Sequence, residues 1–139
     1  MRWLLRLLGL YTHRCPIPIH FNGAGTADGY GSKEFIFGEP IIATIFFAGL
    51  SILNKFPHIF NYPTEITEDN AERMYYNATR LIRFLKLVMV VVFTLIVYNT
   101  QETVEGNSKG LEKWFGPLAI GLILIPVIVY LIKSSRTKK

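Results

Sequence analysis

His20, Asn22, Asp28 and Lys33 bring an imidazole, an amide, a carboxylate and an ammonium into one polar stretch, Pro16 to Lys33, PIPIHFNGAGTADGYGSK. Metal ligation, proton transfer and recognition of a polar ligand all draw on such groups. A catalytic zinc ordinarily takes three protein ligands, and one histidine with one carboxylate falls short of that. The glycines do not suit nucleotide phosphates either. Asp28 stands where the third glycine of a dinucleotide fingerprint belongs, and Gly31, Ser32 and Lys33 reverse the Lys-Ser order of a P-loop. Ser32 and His58 flank opposite ends of one apolar run, so no serine, histidine and acid group into a nucleophilic set. The reading is non-enzymatic, with no metal and no cofactor, and it makes His20, Asn22, Asp28 and Lys33 candidates for contact with a ligand or partner.

The stretch has local order of its own. Ile17, Ile19 and Phe21 alternate with Pro18, His20 and Asn22, which in an extended chain puts the apolar set on one side. Pro16 and Pro18 keep that segment extended and out of a sheet centre. Asn22-Gly23 and Asp28-Gly29 are both tight-turn dipeptides, so the stretch is expected to double back twice. Asn22 and Asp28 would bond their own turns, and His20 would pack on the membrane-proximal surface. Ser32 stands where an N-cap belongs, just before the apolar run from Phe35.

The pattern P-x-H-F-N-x-x-G-x-x-D-x-x-x-S-K is carried by Pro18, His20, Phe21, Asn22, Gly25, Asp28, Ser32 and Lys33. It resembles the signature loop of a bacterial membrane family, domain of unknown function 1648, which also forms the N-terminal part of SdpI-type immunity proteins. A second patch, Asn61-Tyr62-Pro63 through Ile66-Thr67-Glu68 and Asn70-Ala71-Glu72-Arg73, is similar to the family's approach to its next long helix. The two motifs and the pattern of apolar runs cover residues 16 to 132. The resemblance implies an SdpI-like polytopic membrane protein that binds or senses a ligand, with a link to immunity or signal transduction. In that family a full span precedes the loop, and SdpI-type proteins carry a further membrane segment.

The elements that hold these residues are apolar runs. Half of the 139 residues are hydrophobic, the mean hydropathy is +0.31, and the length allows one domain. An integral membrane protein follows. The net charge of +5 does not argue for nucleic acid, because Lys133, Arg136, Lys138 and Lys139 directly follow an apolar run, as in a cytoplasmic flank. Cys15 is the single cysteine, which excludes an intrachain disulfide.

Three runs are long enough to cross a bilayer: Phe35 to Leu53, Ile82 to Tyr98 and Trp114 to Ile132. Thr67 is the expected N-cap of an amphipathic helix from Glu68 to Lys86 that leads into the second run. Its Ala71, Met74, Tyr75, Ala78, Leu81, Ile82 and Leu85 share one face, opposite Arg73, Arg80, Arg83 and Lys86. Asp69 and Arg73 form an i, i+4 pair on it. Arg83 and Lys86 would snorkel to the headgroups. Asn99 to Lys113 is expected to be a polar connection. Met1 to Leu10 is apolar but reaches only about 15 Å against a hydrocarbon core of about 30 Å, so it reads either as an interfacial helix with Trp3 at headgroup level or as the tail of a span with more apolar residues upstream, and the resemblance implies the second.

The fold expected is all-α, with three transmembrane helices and a short N-terminal apolar helix in a single membrane domain. Residues 54 to 86 carry five Lys and Arg, the tail from Lys133 four, and the connection 99 to 113 two. The positive-inside rule then puts the C terminus in the cytoplasm of a multi-pass cell-membrane protein and the 16–33 loop outside. The expected partners are membrane lipid, a peptide or protein ligand at the loop and a regulatory protein at the basic 68–86 helix. An alternative turns on Glu39. It reads first as a first-turn acid on the helix dipole; as a buried carboxylate in an ion path it would instead make the protein a small transport or channel component.

Overall fold

The computed structural model of the protein describes residues 16–136. The apolar helix expected over Met1 to Leu10, Cys15, and the basic residues Lys138 and Lys139 lie outside the described residues. The chain is mostly helical, and three of its helices are long and apolar enough to cross a membrane. The order is β1 (Ile17–Phe21), β2 (Ala27–Gly31), a 3-10 turn (Lys33–Phe37), α1 (Gly38–Leu53), a second 3-10 turn (Pro57–Ile59), α2 (Ala71–Val104) and α3 (Phe115–Ser135).

The fold is therefore not purely helical, because β1 and β2 pair as an antiparallel hairpin. Their register pairs Ile17 with Gly31, Pro18 with Tyr30, His20 with Gly29 and Phe21 with Ala27, with shifts on both sides of His20. Such an irregularity breaks strict alternation. Ile17 is 2% exposed whereas Ile19, left without a partner, is 46% exposed, so the expected apolar side is divided. The chain also reverses once, not twice. Asn22-Gly23 makes the turn, and Asp28-Gly29 lies within β2. Gly29 serves pairing here: a Cβ on it would stand 2.9 Å from the Cβ of His20.

Ser32 takes the N-cap position of the first 3-10 turn with extended backbone, and its carbonyl accepts from the Phe35 N–H at 3.1 Å. Its hydroxyl does not bond that turn's backbone. The turn and α1 together make the first span, Lys33–Leu53. Pro40 falls in the first turn of α1, where its missing donor costs nothing.

α2 has 34 residues, about 50 Å at about 1.5 Å per residue, well beyond a hydrocarbon core of about 30 Å. The amphipathic stretch and the second span are one uninterrupted helix. It begins at Ala71, not Glu68, because the amide of Asn70 folds back: its Oδ1 accepts from the Thr67 N–H at 2.9 Å, and the Thr67 carbonyl accepts from the Asn70 and Ala71 N–H groups. Asp69 precedes the helix, so it forms no helical i, i+4 pair with Arg73. The expected faces do appear: Met74 and Ala78 are buried, and Arg73, Arg80 and Arg83 are exposed. Lys86 is turned sideways to α1, where its Nζ donates to Ser51 Oγ at 3.1 Å and lies 5.0 Å from the Phe47 ring centroid.

At its other end α2 continues through Asn99, where the polar connection was expected to begin. The helix satisfies these polar side chains internally: Asn99 Nδ2 donates to the Leu95 carbonyl, Thr103 Oγ1 to the Asn99 carbonyl, and Gln101 Nε2 to Glu105 Oε1. Val104 then packs on the buried pair Ile17 and Ile36.

Contacts fix the helix directions. Ser51 near the end of α1 meets Lys86, and Ser134 Oγ at the end of α3 lies 3.4 Å from Met74 Sδ near the start of α2. Each neighbouring pair is thus antiparallel, with α2 packed between α1 and α3. Only 6% of each spanning window is buried, and side chains such as Ile45 (65% exposed) and Ile125 (63%) face outward. That much outward apolar surface is the pattern of a chain whose solvent is lipid. The hydroxyls of Thr44, Ser51 and Thr94 bond the carbonyls of Pro40, Phe47 and Val90, four residues back, which satisfies them without water.

Candidate functional site

Because the helices alternate in direction, the hairpin, the start of α1, the end of α2 and the 105–114 connection all meet at one end. The Thr26 backbone bridges Gly110, and the Ala27 N–H donates to the Lys109 carbonyl at 3.2 Å. Two glycines permit this approach. Gly25 (φ 81°) and Gly110 (φ 140°) sit in left-handed backbone, and their positions have no room for a side chain. A Cβ on Gly25 would lie 2.0 Å from the Leu111 carbonyl oxygen, and one on Gly110 2.2 Å from the Gly25 carbonyl oxygen. Ser108 steadies the connection, its hydroxyl donating to the Gly110 carbonyl at 2.8 Å and accepting from the Gly110 N–H at 3.2 Å. Hairpin and connection form one polar cap.

On the cap, His20 Nδ1 and Asp28 Oδ1 are 2.5 Å apart, with side chains 69% and 42% exposed. A carboxylate only accepts, so His20 donates through Nδ1–H and leaves Nε2 for another partner. Asp28 thus bonds across the hairpin instead of closing its own turn, and His20 stands in the open instead of packing toward the membrane. Asn22 is consumed by the turn: its Oδ1 accepts from the N–H groups of Ala24 (2.9 Å) and Thr26 (3.1 Å), while its backbone N–H donates to the Thr26 carbonyl at 2.9 Å. Lys33 opens the 3-10 turn at the membrane end of the hairpin, five residues beyond Asp28. The structure unites His20 with Asp28 and gives Asn22 and Lys33 separate places. Of the other motif residues, Pro18 is buried in β1, Phe21 ends that strand, and Gly25 and Ser32 take the turn and cap positions already described.

Under the hairpin lies a cleft of about 170 Å³. Ile17, Ile19, Phe35 and Val97 supply apolar walls, and Glu39 and Thr100 the polar groups. Among the described residues no group of three or more His, Cys, Asp or Glu side chains is gathered for a metal. The cap accordingly offers an apolar recess under β1 and, on the hairpin itself, an exposed acid–imidazole pair.

Sequence reasoning missed Gly110, Ser108, Val97 and Thr100. The first two sat in what read as a plain interspan loop. The last two looked like ordinary positions of a span and its exit, and only the antiparallel packing of α1 on α2 brings them under the hairpin.

At the opposite end, Tyr62 of the Asn61-Tyr62-Pro63 patch holds the 54–70 connection. Its hydroxyl donates to the Pro57 carbonyl at 2.8 Å, and its ring lies 6.2 Å from Phe60 and 5.7 Å from Tyr75 of α2. Burial, with the neighbouring Tyr130 and Tyr75 hydroxyls adding to it, pushes the Tyr62 phenol up to about 12. Asn61 and Pro63 flank it on the surface.

The model of a family described as a domain of unknown function (DUF1648) matches residues 16–44, that is, the hairpin, the 3-10 turn and the opening of α1. No curated protein and no solved structure matches the chain.

Proposed function

We propose that the protein is a non-enzymatic membrane receptor that binds an extracytoplasmic peptide at the cap, an apolar residue of the peptide entering the cleft and a polar group meeting His20 and Asp28. One observation carries this reading: the family-matched segment supplies both the roof of an apolar cleft and, on the same hairpin, an exposed acid–imidazole pair. The outward placement of the cap rests on the five, four and two basic residues of residues 54–86, the tail and the connection. The likeness of the hairpin motif to SdpI-type immunity proteins supports immunity or signal transduction as the setting. The basic face of α2, with Arg73, Arg80 and Arg83 exposed, suits a regulatory partner on the cytoplasmic side.

The test is binding of a panel of amphipathic peptides to the protein in lipid nanodiscs. At least one peptide should bind, Ile19→Asp should weaken it about tenfold or more, and Arg73→Gln should leave it unchanged. A panel with no binder, or binding indifferent to Ile19→Asp, overturns the proposal.

A second reading, a small transport or channel component, is favoured by one fact: Glu39 lines the cleft at the head of a span. The two readings part at ion flux into liposomes: the transport reading requires a flux that Glu39→Gln abolishes, and the receptor reading requires none.

A further inference from the structure

The far end of the molecule holds a second recess, between α2 and α3, of about 200 Å³. α2 contributes Asn77, Arg80 and Phe84, and α3 contributes Pro126, Tyr130 and Lys133. Their order along two antiparallel helices sorts them by depth. Moving from residue 77 to 84 on α2 and from 133 back to 126 on α3 leads in both cases from the helix end toward the middle of the span. Polar groups therefore come first, with Asn77, Arg80, Tyr130 and Lys133 at the mouth. Apolar walls follow, supplied by Phe84 and Pro126 together with Leu81 and Val129.

Proline has no N–H to give the carbonyl of Leu122, and its ring forms part of the inner wall. Arg80 and Lys133 are both exposed at the mouth, and Arg83 and Arg136 are exposed close by on the same two helices. Among the described residues, no acidic one lines the recess. A groove that is cationic at the headgroup level and apolar below it has the polarity profile of a single anionic phospholipid.

We infer that this recess binds an anionic phospholipid of the surrounding bilayer, with Arg80 and Lys133 on the phosphate, Asn77 and the Tyr130 hydroxyl on the headgroup oxygens, and an acyl chain along Leu81, Phe84 and Val129. Arg80 can engage two phosphate oxygens at once through its planar fork, and Lys133 adds a point charge. A soluble phosphate would use the mouth and leave the inner wall empty, so the site is built for the lipid form of that chemistry. The inference is independent of the cap and of what binds there.

Native mass spectrometry of the protein released from micelles containing phosphatidylglycerol and phosphatidylcholine tests it. One phosphatidylglycerol should remain bound under activation that strips phosphatidylcholine. The Arg80→Gln/Lys133→Gln double variant should lose that preference by about tenfold or more, and Phe84→Asp should lose it with both cations still present. Arg73→Gln, on the same helix but outside the recess, should keep it. Circular dichroism of each variant establishes that it is folded. Equal retention of the two lipids, equal losses in Arg73→Gln and the double variant, or displacement of the lipid by inorganic phosphate would each overturn the inference.

Discussion

The two ends of this molecule are held together by different means. At the cap end, hairpin and connection meet backbone to backbone, through the Thr26–Gly110 bridge and the Ala27–Lys109 hydrogen bond, an approach that only glycine allows at positions 25 and 110. At the basic end, the 54–70 connection is held by side chains, with Tyr62 stacked among Phe60 and Tyr75 and tied to the Pro57 carbonyl. A joint made of backbone frees its side chains for a ligand, and His20 and Asp28 stand exposed on the cap. A joint made of side chains spends them on packing. The first should also fail abruptly when one atom is added, the second gradually as atoms are removed.

The largest effect is expected from Gly110→Val. Its branched Cβ meets the Gly25 carbonyl in a left-handed backbone, costing about 3 kcal/mol, more than the Ala27–Lys109 bond returns. The hairpin should leave the connection. Hydrogen exchange at the Ala27 amide should accelerate strongly, while the amides in the middle of α2 keep their protection. An unchanged Ala27 amide would mean that the joint is not where the structure puts it.

A smaller loss is expected from Tyr62→Phe. The ring stays and one hydrogen bond goes, at a cost of about 1 kcal/mol, read by thermal unfolding in micelles. The same residue sets a pH dependence. Its folded-state value of about 12 lies above the ordinary tyrosine value of 10.0. The unfolded chain therefore loses the proton first, so this contribution is intact below pH 10 and disappears as pH rises from there through about 12. Ultraviolet titration of the protein minus that of Tyr62→Phe should show one phenol ionising near the upper value. A midpoint near 10 would remove the burial argument.

The smallest effect belongs to the pair that the proposed function uses. His20→Ala breaks an exposed side-chain hydrogen bond to Asp28 and should cost no more than about 0.5 kcal/mol of stability. A variant that unfolds would recast the pair as structural. A folded variant with weakened peptide binding sharpens the contrast between a cap that recognises and a base that packs.

What was legible in the sequence follows the range of the interactions. The three spans and the faces of α2 were legible because apolar length and helical periodicity are local properties, and Arg73, Arg80 and Arg83 did fall opposite Met74 and Ala78. The Asn22 turn was legible for the same reason, since its bonds reach only to Ala24, Gly25 and Thr26. The hairpin pairing was not, because Asp28-Gly29 has the same turn chemistry as Asn22-Gly23 until a partner strand claims it. The start of α2 was misplaced because Thr67 has ordinary N-cap chemistry, whereas Asn70, which stands at the N-cap position, turns its side chain back to the Thr67 N–H and the Glu65 carbonyl instead of capping the helix. The docking of Gly25 on Gly110 and the cleft between β1 and Val97 join residues some eighty positions apart along the chain. No periodicity records such a meeting.

The central claim is that hairpin and interspan connection form one cap on the outer side of the membrane, with the 54–70 segment on the other. Single cysteines in a Cys15→Ser background, probed in intact cells with a membrane-impermeant maleimide, test it directly. Ala24→Cys and Asn107→Cys should both label from outside, and Glu65→Cys only after the membrane is permeabilised. Labelling of positions 24 and 107 from opposite sides would contradict the shared cap, and labelling of Glu65→Cys alone in intact cells would reverse the orientation on which the receptor reading depends.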